Sequence, residues 1–220
     1  MGRLATGPGL LLSRLTGSAQ NLIIAASSEG VEKDGIFEYR LPLARSFSLS
    51  VSDQFITREA DHKGVSIRTY VFPQHHEAGE TIIEVAKNAL DLYAELFYPY
   101  PRKTLSLVSA DFLHNMEMDG LVLISNRVID FYDNTAENNL TILLPHELAH
   151  QWFYSRVGND QAMEPWLDET LATYSELLFY ERYHPELSEW WWDNRIYAHP
   201  HSGAVNNSIY DAGSYDNYRA

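Results

Sequence analysis

The chain has 220 residues and a formal charge of −14, set by 30 acidic and 16 basic side chains, with 45% hydrophobic and 13% aromatic residues. That apolar content suits one large folded domain or two modest ones and excludes a disordered chain. The acid excess and the lack of any Lys/Arg run argue against an extended nucleic-acid or anionic-membrane surface, while the absence of cysteine removes disulfides, thiolate metal ligands and a cysteine nucleophile.

The stretch GPGLLLSRLTGSAQNLIIAASS has the look of a leader, but Arg14, Gln20 and Asn21 interrupt it, so no convincing signal peptide is expected. No run of about 18 apolar residues occurs, so no membrane span is expected and the chain reads as soluble, with its compartment open. Residues 1–30 show no firm period. From Gly35, the runs GIFEYRLPL, RSFSLSVSD, QFITREAD and GVSIRTYVF are rich in β-branched and aromatic residues, and DHKG between the last two reads as a hairpin connection. Antiparallel strands are therefore expected over 35–72.

FPQHHEAGE marks a boundary, after which Ile82, Val85, Ala89, Leu92 and Leu96 follow a helical period that Pro99 and Pro101 end. Residues 104–110 and 120–125 read as strands of a second sheet, and 136–157 and 165–184 as helices. The fold class is α+β: a β-strand-rich N-terminal segment over 1–73, then an α+β domain over 74–220.

The chemistry concentrates in PHELAH. His146 and His150, four residues apart on a helix, point two imidazoles at one ion, and Glu147 between them can face a water without binding the metal. Zinc lowers the pKa of such a water towards neutrality, so a neighbouring carboxylate suffices as its base. A third ligand is needed. Glu169 follows His150 after 18 residues, near the start of the next helix, behind Pro165 in a helix-starting position. Asp168 is the rival carboxylate, about 100° around that helix. With Trp166, Leu167 and Leu171 packed inward, Glu169 is preferred. Glu176, seven residues further on the same face, is a candidate to hold a ligand histidine's second nitrogen, against the plainer reading of a surface acid.

These residues resemble peptidase family M1, the zinc aminopeptidases of the aminopeptidase N type among the gluzincins. The matching features are HELAHQWF, the 18-residue spacing and Glu169 within WLDETLA. The resemblance implies a thermolysin-like catalytic domain over 74–220, one Zn2+ per chain held by His146, His150 and Glu169, and Glu147 as general base. It also implies a peptide substrate. The family's Gly-Ala-Met-Glu-Asn strand has its counterpart in HNMEMDGLVLIS, where Met116 and Glu117 match and His114, Asn115 and Met118 depart. Glu117 is thereby expected to bind the substrate's free α-amine.

Set against whole family members, most of the N-terminal β domain and the helical C-terminal domain have no counterpart here, and the catalytic domain is truncated. The resemblance thus implies a piece of a larger peptidase, whose missing domains, or a homo-oligomer in their place, would be partners. The family's oxyanion-stabilising tyrosine is expected beyond Ala220, with Tyr210, Tyr215 and Tyr218 candidates by residue type only. A missing oxyanion donor costs about 10²–10³ in rate, so little activity is expected of the piece itself.

Pro145 is expected inside a helix that starts near Ala136 behind Thr135, kinking it at a cost of roughly 3 kcal/mol. His75, His76, His199 and His201 read as ordinary loop histidines, and Trp190–Trp192 as cover for the core or an absent domain. No G-x-S-x-G supports a serine hydrolase. The rival readings are a non-catalytic zinc- and peptide-binding domain and a zinc endopeptidase.

Overall fold

The computed structural model describes residues 9–16, 21–198 and 206–211. It mixes strands and helices as the sequence implies. Five strands make the sheet that carries the site: β6 (Ile56–His62), β7 (Val65–Val71), β8 (Thr104–Ala110), β9 (Met116–Met118) and β10 (Leu121–Ser125). Their order is β6-β7-β8-β10-β9, with β7, β8 and β10 parallel to one another and β6 and β9 antiparallel to their neighbours. The β6–β7 connection is two residues, Lys63 and Gly64, both with positive φ, which is the turn that suits the twist of a tight hairpin.

Both faces of this sheet are covered, which is why its central strands read as nearly continuous apolar runs. On one face Ile67, Val71, Leu105, Leu107, Val122 and Ile124 join the helices in the main core. On the other, Tyr70, Val108, Ala110, Leu121 and Leu123 pack with Ala25 and Phe55 from the N-terminal segment. That segment forms two small sheets: β1 (Gly9–Thr16), β4 (Ile36–Ala44) and β3 (Gly30–Lys33) in one, β2 (Ile23–Ala26) and β5 (Leu49–Ser52) in the other. The large sheet thus runs across position 73. The strands at 104–110 and 121–125, expected in a second sheet, share one with the 56–71 hairpin, because β7 finds its parallel partner in β8.

The helices are α1 (Ala78–Leu96), α2 (Asn126–Asp130), α3 (Asn139–Ala149), α4 (Pro165–Tyr183) and α5 (Ser188–Trp192). α1 buries Ile82, Ile83, Ala86, Ala89, Leu90 and Tyr93 in the core, and α3 packs against both α1 and α4. α3 is shorter than expected at both ends. Its N-cap is Asn138, whose side chain accepts from the amides of Leu140 and Thr141, whereas Thr135 caps only a turn before it. It stops at Ala149 rather than 157, and Tyr154, at φ 142, stands in the bends that follow.

Pro145 lies inside α3, as expected, and the helix runs on through it to Ala149. Its carbonyl is 3.1 Å from the Tyr93 hydroxyl of α1, which is equally close to the Ser175 carbonyl of α4. One buried hydroxyl thereby links three helices. On α4 the inward face is Asp168, Ala172, Ser175, Glu176, Phe179 and Tyr180. Leu167, expected inward, is 36% exposed, because the polar side chains of this helix are the ones with partners inside.

Candidate metal centre

Three elements converge. The last turn of α3 presents His146 and Glu147, and His150 caps its C-terminus; the start of α4 presents Glu169; and β9, at the edge of the sheet, presents Glu117. His146 Nε2 is 3.2 Å from His150 Nε2 and 3.1 Å from Glu169 Oε2, and His150 Nε2 is 3.9 Å from Glu169 Oε1. Donor atoms around a tetrahedral zinc at its usual bond lengths lie about 3.3 Å apart. The triangle fits that spacing with little movement. Asp168, the rival, is turned aside and accepts from Asn159 and Gln161 instead.

The outer hydrogen bonds orient the imidazoles. His150 Nδ1 donates to the Phe153 carbonyl at 2.9 Å, which leaves the Nε2 lone pair facing the triangle. The early end of α3 makes this possible, since a continuing helix would aim that carbonyl along its axis. His146 Nδ1 donates to Glu176 Oε1 at 2.7 Å. Glu176 is fully buried, and Arg195 grips it through Nε at 2.7 Å and Nη2 at 2.6 Å, with Trp191 Nε1 at 3.3 Å. Burial alone would raise the Glu176 pKa, but Arg195 and His146 hold it below the ordinary carboxylate value.

The charge state shows what the triangle favours. Burial opposes a charged His146, yet Glu169 and Glu176 overrule it and lift its pKa to about 10. Glu169 answers in kind: burial pushes it up, and His146 draws it down to about 2. A proton therefore stands on His146 where the lone pairs of two imidazoles and a carboxylate meet, and a cation fits the same point. Glu147 is different. Its burial pushes it up to about 8, with His146 opposing and Glu117 and Glu169 adding to the rise. Its carboxylate lies with the Glu117 carboxylate and a His150 ring nitrogen in a second cluster, ligand atoms within 4.8 Å of one another. The Glu169 side chain is 39% exposed while both histidines are buried, so the site opens to solvent on that side.

All six residues singled out from sequence are thus brought together: His146, Glu147, His150, Glu169, Glu176 and Glu117. Sequence reasoning missed four contributors. Arg195 lies 19 residues past its partner Glu176 in a short π-helical segment, with nothing in the spacing to flag it. The Phe153 carbonyl is backbone. Gln151 accepts from the Gly120 amide and donates to the Met118 carbonyl, both at 2.9 Å, and so ties the Glu117 strand to the residue next to His150. Gln161 donates to Glu117 itself. Elsewhere, His75 pairs with Asp130 and Ser109 and His76 with the Pro73 carbonyl, as structural histidines do. Trp191 is buried, and Tyr210 is 76% exposed. His199, His201, Tyr215 and Tyr218 lie outside the described residues.

The Peptidase family M1 domain matches residues 81–214. Aminopeptidase M1-D of Oryza sativa subsp. japonica is 29% identical over 177 residues, covering 70% of this chain and 20% of that protein. Aminopeptidase M1-B of the same plant is 33% identical over 136 residues (58% and 15%), and endoplasmic reticulum aminopeptidase 1 of Mus musculus is 28% identical over 144 residues (62% and 16%). The chain belongs to peptidase family M1. It spans a fifth or less of the length of these curated relatives. Among the described residues no helix is long and apolar enough to cross a membrane.

Proposed function

We propose that the chain is the thermolysin-like catalytic core of a zinc aminopeptidase, holding one Zn2+ through His146, His150 and Glu169. The observation that carries this reading is the triangle of donor atoms, with each imidazole oriented from behind by Glu176 or the Phe153 carbonyl. Zinc bound there would supply Lewis acidity to a scissile carbonyl and to a water. Glu147 takes the water's proton and returns it to the leaving amine. Its pKa of about 8 without metal would fall beside a dication, leaving the carboxylate able to act as base near neutrality. Glu117 receives the substrate's α-ammonium, which sets the cut one residue from the chain end. The peptide enters from the open Glu169 side. No nucleic-acid or membrane partner belongs to this reading; the partners are the peptide and further domains or a second copy.

The test is hydrolysis of a dipeptide amide and its N-acetylated form by the zinc-loaded chain, with Glu147→Gln as control. Slow cleavage of the free-amine substrate alone, lost in Glu147→Gln, is the expected result. Cleavage of the acetylated form would make the protein an endopeptidase. Peptide binding without turnover in either form would leave a recognition domain.

A further inference from the structure

Outside the metal and base residues, one neutral side chain joins two of the acids around the site. Gln161 donates from Nε2 to Glu117 Oε1 at 3.1 Å and to Asp168 Oδ2 at 2.7 Å. A primary amide nitrogen carries two hydrogens, so one goes to each carboxylate. Asp168 is a fixed post. It is 2% exposed, its other oxygen accepts from Asn159 Nδ2 at 3.0 Å, and it sits in the first turn of α4 beside Glu169.

Glu117, by contrast, stands half-exposed on a three-residue edge strand. Its backbone is set by Gln151, which bonds the Met118 carbonyl and the Gly120 amide. Among the described residues, Gln161 is the hydrogen-bond donor to its carboxylate. The route from the third triangle residue to the carboxylate is then short: Glu169, its neighbour Asp168, Gln161, Glu117.

We infer that Gln161 is a positioning residue of the amine-recognition site, which locks the Glu117 carboxylate towards a primary ammonium at a set distance from the histidine pair. This rests on the amine-binding role proposed for Glu117. Freeing one long side chain costs binding about three- to tenfold. Neither of these Gln161 bonds ends on a triangle atom, so metal binding does not depend on them.

The experiment titrates the zinc-loaded 220-residue chain calorimetrically with L-leucinamide and N-acetyl-L-leucinamide, measuring zinc content throughout. Gln161→Ala, the near-isosteric Gln161→Met and Glu117→Gln are compared with the parent. The expected result is that the parent prefers the free amine, and that both Gln161 variants bind leucinamide about three- to tenfold more weakly. Their zinc content and their affinity for the acetylated probe stay unchanged. Gln161 variants that bind leucinamide like the parent, while Glu117→Gln does not, overturn this inference and spare the amine site. Equal losses for both probes, or lost zinc, in both Gln161 variants make the residue structural and also overturn it. A parent chain that binds the two probes equally, or neither, overturns the amine site and this inference with it.

Discussion

Each histidine of the triangle has one nitrogen aimed at the common point and the other committed behind it, and the two commitments differ in strength. His150 leans on a neutral carbonyl, His146 on a buried carboxylate that is itself clamped by Arg195. Removing that carboxylate by Glu176→Gln should weaken zinc binding about 10–100-fold, checked by competition with a chromophoric chelator. The proton on His146 gives a second prediction. Its metal-free pKa of about 10 lies above the ordinary 6.5, so protonation stabilises the metal-free fold fully below 6.5, and this contribution is lost as pH rises through about 10. Zinc must displace the same proton. Uptake at neutral pH should release at least about one proton per ion, and affinity should strengthen as pH rises. Calorimetry in buffers of different ionisation enthalpy measures this, and heats independent of buffer would contradict it. The histidines and Glu169 were legible because their spacing is itself the chemistry. Arg195, Gln161 and the Phe153 carbonyl were not, because tertiary packing alone brings them in.

At the scale of elements, the site depends on where α3 ends and on how β9 turns into β10. The turn is Asp119-Gly120. Gly120 has φ +71, and a Cβ there would stand 2.3 Å from the Ser27 carbonyl oxygen. Gly120→Ala should therefore destabilise the protein by at least about 1–3 kcal/mol and displace Glu117, seen as a lower thermal midpoint. The Tyr93 hydroxyl supports the other side, between the Pro145 and Ser175 carbonyls. Tyr93→Phe should cost about 1 kcal/mol by denaturant titration. β8 and β10 were readable because burial on both faces leaves runs of apolar residues. β3 was not, since three of its four residues are exposed and carry no alternation. The helix boundary near 149 was missed because apolar residues continue past it, and only the backbone at Tyr154 marks the change.

Across the whole molecule, the N-terminal segment is fastened at Asp119 to the part that carries the histidine pair, and the Asp119 side chain is fully buried. It accepts from the amides of Arg45 and Ser46 at 2.7 and 2.9 Å, from Arg102 Nη2 at 2.5 Å and from the Ser155 hydroxyl. Arg45 also reaches the Tyr154 and Asn159 carbonyls. Asp119→Ala leaves the Arg102 guanidinium buried without its partner, so a loss of about 3–5 kcal/mol is expected in chemical denaturation. A change below about 1 kcal/mol would show that the fastening is superficial. This join also explains why a division at residue 73 is visible in the sequence pattern but not in the sheet. The pattern changes from strands to helix there, while hydrogen bonding carries on from β7 to β8.

The central claim is a three-ligand metal site, and metal content tests it most directly. Zinc per chain is measured by atomic absorption after dialysis against limiting zinc, for the parent and for Glu169→Ala side by side. The account predicts about one zinc per parent chain and markedly less in the variant. A folded parent that retains no zinc, or a variant that retains as much as the parent, would contradict it.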